Sequence, residues 1–263
     1  MIPHESFGLR LTRAWAAEPW FLVLSFNSAH KPYHSPPPAL HSEVLVGDPL
    51  DSPIAHHRAM VESMDAELGR LLAGLGNDVR SNTNVVVIGD NGTQNDATEA
   101  PFVPGHGKGT LFEGGLRVPL VIAGPMVTAT GTECRALVNS TDIFDTCLHL
   151  AGATGDLPTQ TAYPRDSTSL LPYLADPNQP SLRQFIFAER FFPNNDNNPS
   201  LVRHAIRGLR YKLNRNVIDG IERFYDLQAD PFEATNLLLG PLEPEARQAY
   251  FRLQTQLKDL LES

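Results

Sequence analysis

The stretch Thr83-Asn84-Val85-Val86-Val87-Ile88-Gly89-Asp90-Asn91-Gly92-Thr93 decides the fold class of this sequence. Its four consecutive apolar residues, Val85–Ile88, are bounded by turn-forming residues, which predicts a short, fully buried, parallel strand. The strand is followed at once by a carboxylate and an amide, Asp90 and Asn91, between two glycines. In open α/β sheets, ligands bind in the crevice at the carboxyl ends of the strands. We therefore treat Asp90 and Asn91 as candidate ligands.

The chemistry of these two side chains favours a hard metal ion. Asp90 and Asn91 offer two oxygen donors on a flexible turn. Such oxygens suit calcium or magnesium better than a soft metal. The alternative is a loop in which both side chains merely satisfy turn geometry. The tetrapeptide alone leaves both interpretations open.

Composition limits the classes of function. The chain has 263 residues, enough for one large domain or a domain with an appendage. Its 21 basic and 30 acidic residues give a net charge of −9, which argues against nonspecific nucleic-acid binding. No apolar run approaches the length of a membrane span, so we expect no membrane partner. Cys134 and Cys147 are too few for a disulfide framework, and whether they pair stays open.

The residues before this stretch predict further elements of an α/β fold. Apolar spacing predicts a helix over 7–17, a second buried strand over Trp20–Phe26, and a long amphipathic helix over 54–75. Together with the strand at Val85–Ile88, this predicts a strand–helix–strand crossover. His30 follows the second predicted strand in a polar turn, where a histidine is structural or catalytic.

A glycine-rich segment follows the Asp90–Asn91 turn. Five glycines within the eleven residues 105–115 indicate tight turns or a backbone that approaches something closely. Lys108 lies between two of them and can direct a point charge towards an anion. The spacing does not match a nucleotide-binding P-loop. Another strand is predicted over 118–123.

The last third of the sequence predicts a small antiparallel sheet and a terminal helix. Apolar patterns predict a helix over 141–151, a helical patch over 167–175 and a final helix over 244–261, with short strands at 185–189, 202–207, 209–213 and 222–225. The predicted strands carry a modest basic cluster, which we interpret as a solvated face rather than a site of anion recognition: Arg203, Arg207, Arg210 and Lys212. The turn-rich residues 152–180 predict two domains, 1–180 and 181–263.

Five segments, in this order, resemble the sulfatase family of the alkaline-phosphatase-like superfamily. They are spread across most of the chain, at Asn27–Pro32, Met60–Leu72, Gly89–Gly92, Gly107–Pro119 and Arg223–Leu237. The resemblance implies an α/β fold, with part of an alkaline-phosphatase-like sheet flanked by helices and a small C-terminal antiparallel subdomain. It also implies that the reaction is the hydrolysis of a sulfate ester, on a small molecule or a sulfated glycan.

The resemblance assigns roles to four residues. Asp90 and Asn91 would be two of four protein ligands to a calcium ion, while His30 and Lys108 would contact the sulfate and the leaving-group oxygen. Two-zinc relatives typically carry histidine at the position of Asn91, so one calcium-like ion is expected here rather than two zinc ions. Glu113, Arg117 and Asp65 are interpreted as structural.

The sequence departs from the family pattern at two points. Family members carry an Asp-Asp pair that completes the metal site, and a Cys/Ser-x-Pro/Ala-x-Arg motif whose first residue becomes the formylglycine nucleophile. Neither pattern occurs in these 263 residues. The chain therefore resembles the back half of a sulfatase, and we expect a front half as its partner and no activity from this chain alone. Residues 1–5 do not resemble a signal peptide. If the front half carries one, the protein would be periplasmic or secreted.

Two other functions remain open at this stage. One is a phosphodiester or phosphonate ester hydrolase of the same superfamily, which the nucleophile motif would distinguish. The other is a noncatalytic remnant or binding module that retains the fold. Neither the particular sulfate ester nor the oligomeric state follows from the sequence.

Overall fold

The computed structural model describes residues 19–153, 166–194 and 198–262. The helix predicted over residues 7–17 lies outside the described residues. Two compact units are present: the first comprises Met1–Val85 and Asp96–Glu99, and the second comprises Val86–Asn95 and Ala100–Ser263. The predicted division at residue 180 stays a prediction.

The first unit is built on helix α1, Pro53–Gly74, which confirms the long helix predicted over 54–75. Ser52 precedes it and Pro53 is its first residue, where the missing N–H of proline costs no helical hydrogen bond. A short 3-10 helix, Pro38–Leu40, lies before α1, and α2, Asn77–Ser81, follows it. Met60 of α1 is completely buried and packs with Tyr33 and Ala97.

The prediction of a strand over Trp20–Phe26 is wrong. Residues 20–26 form no strand, and the side chains of Phe21 and Val23 are 75% and 67% exposed. A β-strand needs a neighbour to pair its backbone N–H and C=O groups, and these residues form no β-ladder. The predicted strand–helix–strand crossover therefore lacks its first strand.

All but the first residue of the strand that follows α2 belongs to the second unit. Strand β1, Val85–Ile88, pairs with β2, Leu120–Ala123, which confirms both predicted strands. The expectation of a fully buried strand is wrong, because the side chains of Val85–Val87 are only half-buried and Ile88 is 37% exposed. Three short helices are described before the C-terminal sheet: α3, Glu113–Leu116; α4, Asp142–Leu150; and α5, Leu171–Ala175.

Helix α4 is fixed by a buried carboxylate that sequence reasoning did not select. Asp142 is 1% exposed, accepts hydrogen bonds from the backbone N–H of Asn139 and Thr168 at 2.8 Å, and pairs with Arg183. Cys147 of the same helix is half-buried, and Cys134 is exposed; both are free thiols.

The C-terminal sheet is antiparallel, as predicted. Its strands lie in the order β3, β4, β5, β6 and span Ile186–Phe192, Leu201–Arg207, Tyr211–Asn216 and Glu222–Asp226. The short 3-10 helix Leu237–Leu239 and helix α6, Pro244–Glu262, follow the sheet. Leu253 and Leu257 of α6 pack on Ile206, Leu213 and Phe224 to form the main core. Among the described residues, no helix is long and apolar enough to cross a membrane.

Candidate active site

The backbone brings the glycine-rich segment against the Asp90–Asn91 turn. The N–H of Gly92 donates to the carbonyl of Gly115 at 3.0 Å, and the N–H of Lys108 donates to the carbonyl of Thr93 at 2.7 Å. The amide side chain of Asn95 adds a third link, because its Oδ1 accepts from the N–H of Gly107 at 3.0 Å. Lys108 and the predicted metal ligands are therefore held by one hydrogen-bonded framework.

Glycine is required where these backbones meet. A Cβ on Gly92 would lie 1.9 Å from the carbonyl oxygen of Gly114, and a Cβ on Gly115 would lie 2.4 Å from that of Thr110. Both distances are far below any van der Waals contact, so only a hydrogen atom fits. This confirms that the glycines of the segment allow a close approach of backbone to backbone.

The side chains of this framework are accessible to solvent to different degrees. Asp90 is exposed, whereas Asn91 and Lys108 are half-buried. The loop of residues 94–104, between the turn and the glycine-rich segment, has neither helix nor strand. Because the backbone of Lys108 is tied to Thr93, two residues after Asn91, its cation is available near this turn to receive a bound anion.

A buried network of charged residues holds the glycine-rich segment through Glu113. Glu113, the first residue of α3, is 3% exposed and accepts from Lys212 Nζ at 2.9 Å and from Arg207 Nη1 at 2.5 Å. Glu233 is 1% exposed; it pairs with Lys212 at 3.1 Å and accepts the backbone N–H of Glu113. Glu113 is thus structural, as interpreted from the sequence.

The environment of Glu233 is unusual in two respects. Burial raises the pKa of its carboxyl, and the positive charge of Lys212 opposes that rise. Its φ of 58° lies in the left-handed region that non-glycine residues rarely adopt. The hydrogen bond and ion pair of this carboxylate therefore hold a strained backbone in place.

The predicted solvated face is wrong for Lys212 and Arg207. Lys212 is completely buried, and Arg207 is paired with Glu113. Arg210 pairs with Asp226 and Glu245. Sequence reasoning missed Lys212 and Glu233 because charged residues are rarely buried unless they are paired. The only sequence signal was the alternation of Lys212 with Tyr211 and Leu213, which places it on the opposite face of the strand.

His30 belongs to the first unit. Its imidazole is exposed, and its Nδ1 lies 2.6 Å from the carbonyl oxygen of Lys31. The turn that carries it is anchored on both sides: Ser28 donates to the carbonyl of Met60 at 2.8 Å, and Lys31 and Tyr33 both bind the carboxylate of Asp96. Burial would raise the pKa of Asp96, but the hydrogen bonds from Lys31 and Tyr33 lower it.

The described residues fit the kind of ion that the family uses but not a complete site for it. Asp90 and Asn91 supply oxygen donors, which suit calcium. Within 19–153, 166–194 and 198–262, no group of three or more His, Cys, Asp or Glu residues could hold a metal ion. Asp90 and Asn91 alone therefore do not complete a calcium site.

We expect this chain to bind calcium only weakly, with a dissociation constant above the micromolar range. Two neighbouring side chains provide one formal negative charge, whereas a calcium site uses about 6–8 oxygen ligands. Titration calorimetry of the wild-type chain, with the Asp90→Asn variant as control, measures this. Micromolar or tighter binding that Asp90→Asn leaves unchanged would show that the ligands are other residues.

Comparison with known families confirms the resemblance. The sequence model of the sulfatase family matches residues 9–153, and that of the C-terminal region of N-sulphoglucosamine sulphohydrolase matches residues 106–263. The chain belongs to the sulfatase family.

Two curated relatives show how much of such a protein is present. Steryl-sulfatase of Rattus norvegicus is 31% identical over 180 residues, which cover 64% of this chain and 29% of the relative. A sulfatase of Formosa agariphila is 28% identical over 242 residues, which cover 86% of this chain and 43% of the relative. The chain thus spans less than half the length of both.

Solved structures confirm the alkaline-phosphatase-like α/β fold. Ps i-CgsB in complex with k-i-k-neocarrahexaose has a TM-score of 0.70 at 21% identity, covering 95% of this chain and 52% of that one. A protein in complex with its substrate D-glucosamine-2-N,6-O-disulfate has a TM-score of 0.62 at 23% identity, covering 79% and 40%. A phosphonate monoester hydrolase from Silicibacter pomeroyi has a TM-score of 0.63 at 22% identity, covering 81% and 42%.

Proposed function

We propose that this chain forms the part of a sulfatase that binds the sulfate of a sulfate ester and stabilises its leaving oxygen. The observation that carries the proposal is the framework in which Lys108 is tied to the Asp90–Asn91 turn through Thr93. Membership of the sulfatase family supports the reaction class. The chain covers less than half of its curated relatives, so the activity concerns the whole protein.

The role of Lys108 follows from the charge of the reacting group. A sulfate monoester is an anion, and its leaving oxygen gains negative charge in the transition state. A cation held in place before the reaction stabilises that charge without reorganising. The backbone hydrogen bond of Lys108 and the neighbouring glycines fix where its side chain begins, and the partial burial of this residue strengthens its electrostatic interactions.

Calcium and formylglycine are the groups that the family generally uses. When bound, calcium supplies a Lewis acid for the sulfate oxygens, and formylglycine supplies the nucleophile. We propose Asp90 and Asn91 as two of the calcium ligands, because they are adjacent oxygen donors at the end of β1. The other ligands and the nucleophile would come from a front half, which we propose as the partner of this chain.

A sulfated glycan is the substrate class that we propose. The support is the neighbour of similar fold whose substrate is a disulfated glucosamine. A phosphonate ester hydrolase is the second candidate, favoured by the neighbour from Silicibacter pomeroyi. The rates of a complete protein on an aryl sulfate and on a phosphonate monoester distinguish the two.

We expect Lys108→Ala to lower the turnover of an aryl sulfate by about 100-fold or more, because a missing charge stabiliser costs that much. The measurement uses this chain joined to a compatible sulfatase front half, and His30→Ala tests the second predicted catalytic residue in the same way. Lys258→Ala, which removes an exposed lysine of α6, is the matched control. Near-normal turnover of both Lys108→Ala and His30→Ala would contradict the assignment.

A further inference from the structure

One face of the C-terminal sheet carries a row of cations. Directly paired residues of antiparallel strands share a face. Arg190 of β3 is opposite Arg203 of β4, which is opposite Asn216 of β5. On the same face, two residues along, Asn214 of β5 is opposite Arg223 of β6. The other face carries Ile206, Leu213 and Phe224, which pack on α6.

These cations differ from the two in the buried network. Arg207 and Lys212 lie on the same face but are neutralised by Glu113 and Glu233. In the part of the chain that the structure describes, no carboxylate pairs with Arg190, Arg203 or Arg223. Arginines directly opposite each other, such as Arg190 and Arg203, repel and destabilise a sheet. A bound anion would remove that cost.

An open cavity of about 600 Å³ adjoins this face. Arg203, Arg223 and His106 line it, together with Tyr225, Asn236 and several apolar residues. Glu233 also lines it, but its carboxylate is held by Lys212 and the backbone of Glu113. The volume lies in the range of known ligand sites, about 300–1,000 Å³.

Two polar atoms of this lining lack a partner. Arg203 Nε and His106 Nδ1 are buried and make no hydrogen bond within the described chain. Buried donors and acceptors are nearly always satisfied by protein, water or ligand. Burial lowers the pKa of His106; a hydrogen bond with the backbone of Phe232 and the charge of Asp230 oppose this, and the charges of Arg223 and Lys212 add to it.

The cationic row reaches the segment that carries Lys108. A Cβ added to Gly109 would lie 3.8 Å from Arg190 Nη2. The guanidinium of Arg190 is therefore close to Gly109, the residue that follows Lys108. From there the row continues through Arg203, the strand partner of Arg190, to the cavity. A substrate bound at Lys108 can therefore present a second group to the arginines.

We propose that Arg203 and Arg223 form a subsite for a second anionic group of the substrate, a sulfate or a carboxylate on a neighbouring sugar. The planar guanidinium offers paired donors that match the oxygens of such anions. The ligand class is then an oligosaccharide with more than one negative charge. This inference rests on the proposed function, because it places the subsite beside the sulfate-binding Lys108. The net charge of −9 argues against a nucleic acid as the polyanion.

The test is calorimetric binding of a heparin-derived tetrasaccharide to this chain. We expect the Arg203→Gln/Arg223→Gln variant to bind about tenfold more weakly or worse, since charged hydrogen bonds contribute about that much. Arg252→Gln, which removes one exposed arginine from α6, is the matched control and should bind as the wild type does. Desulfated tetrasaccharide that retains its carboxylates shows which anion the subsite prefers.

The outcomes separate this inference from the proposed function. Equal weakening by Arg252→Gln, or unchanged binding by the double variant, would overturn the subsite. If Arg203→Gln does not fold, as judged by thermal unfolding, the exposed Arg223→Gln alone must still weaken binding. Binding needs no turnover, so arginine-dependent binding supports the subsite even if Lys108→Ala proves harmless in the joined enzyme. Hydrolysis that depends on Lys108, with binding indifferent to both arginines, would contradict the subsite alone.

Discussion

Replacing Lys212 with methionine is expected to lower the free energy of unfolding by about 3–5 kcal/mol, the cost of removing one partner of a buried ion pair. Lys212 is completely buried between Glu113 and Glu233, which are 3% and 1% exposed. Without its ammonium group, one arginine, Arg207, is left to balance two buried carboxylates. Chemical denaturation at pH 7 measures the loss.

A double variant and an exposed control make this prediction specific. Lys212→Met/Glu233→Gln removes a charge of each sign, so it should recover about 1–2 kcal/mol of the loss through coupling between the two sites. Lys258→Met removes a lysine whose side chain is 67% exposed and should change stability by less than about 0.5 kcal/mol. A double variant less stable than Lys212→Met would contradict the proposed network.

The stability lost in Lys212→Met should depend on pH. Burial raises the pKa of Glu233 in the folded protein, and Lys212 opposes this, so losing Lys212 raises that pKa further. The folded state then binds more protons than the unfolded state, and stability falls as the pH rises from the unfolded pKa of Glu to the folded one. The deficit of Lys212→Met should therefore be smaller at pH 4 than at pH 7. An equal deficit at both values would mean that Glu233 is not the carboxylate left unpaired.

Local sequence patterns predicted the elements that need only local information. Helix α1 was expected over 54–75 and spans Pro53–Gly74, since apolar spacing and a proline at the first position define it. The four antiparallel strands were also expected, because each alternates between its core face and its other face. The family resemblance supplied what these patterns do not carry, which is the chemistry of Lys108, Asp90 and Asn91.

Local sequence patterns gave wrong predictions where the structure of a residue depends on a partner that is distant in the sequence. Trp20–Phe26 has the composition of a strand, but no neighbour pairs with it in the described chain. Lys212 was assigned to a solvated face, because its partner Glu113 comes from a segment nearly a hundred residues earlier. Burial of a charge is a tertiary property, so composition assigns such residues to the surface by default. The network also explains why Glu113 follows Lys108 so closely: it fixes the segment from which Lys108 extends.

Gly92→Ala is expected to be the most disruptive single change at the predicted site. The added Cβ would lie 1.9 Å from the carbonyl oxygen of Gly114 and 2.8 Å from the Cα of Gly115. These atoms belong to backbone, so no side chain can rotate away to make room. The two segments must separate, which breaks the hydrogen bond from Gly92 to Gly115 and strains the one from Lys108 to Thr93. We expect a loss of about 3 kcal/mol in the free energy of unfolding.

Chemical denaturation and amide hydrogen exchange measure the two parts of this expectation. The exchange of the Lys108 N–H should speed up in Gly92→Ala, because its acceptor, Thr93, follows the displaced residue directly. Gly240→Ala is the control: its φ of −141° suits alanine, and a Cβ there meets nothing within 4 Å. Its stability should stay within about 0.5 kcal/mol of the wild type. If Gly92→Ala is as stable as Gly240→Ala and leaves Lys108 protected, the glycine-rich segment does not hold Lys108 against the Asp90–Asn91 turn, and the proposed sulfate site loses its structural basis.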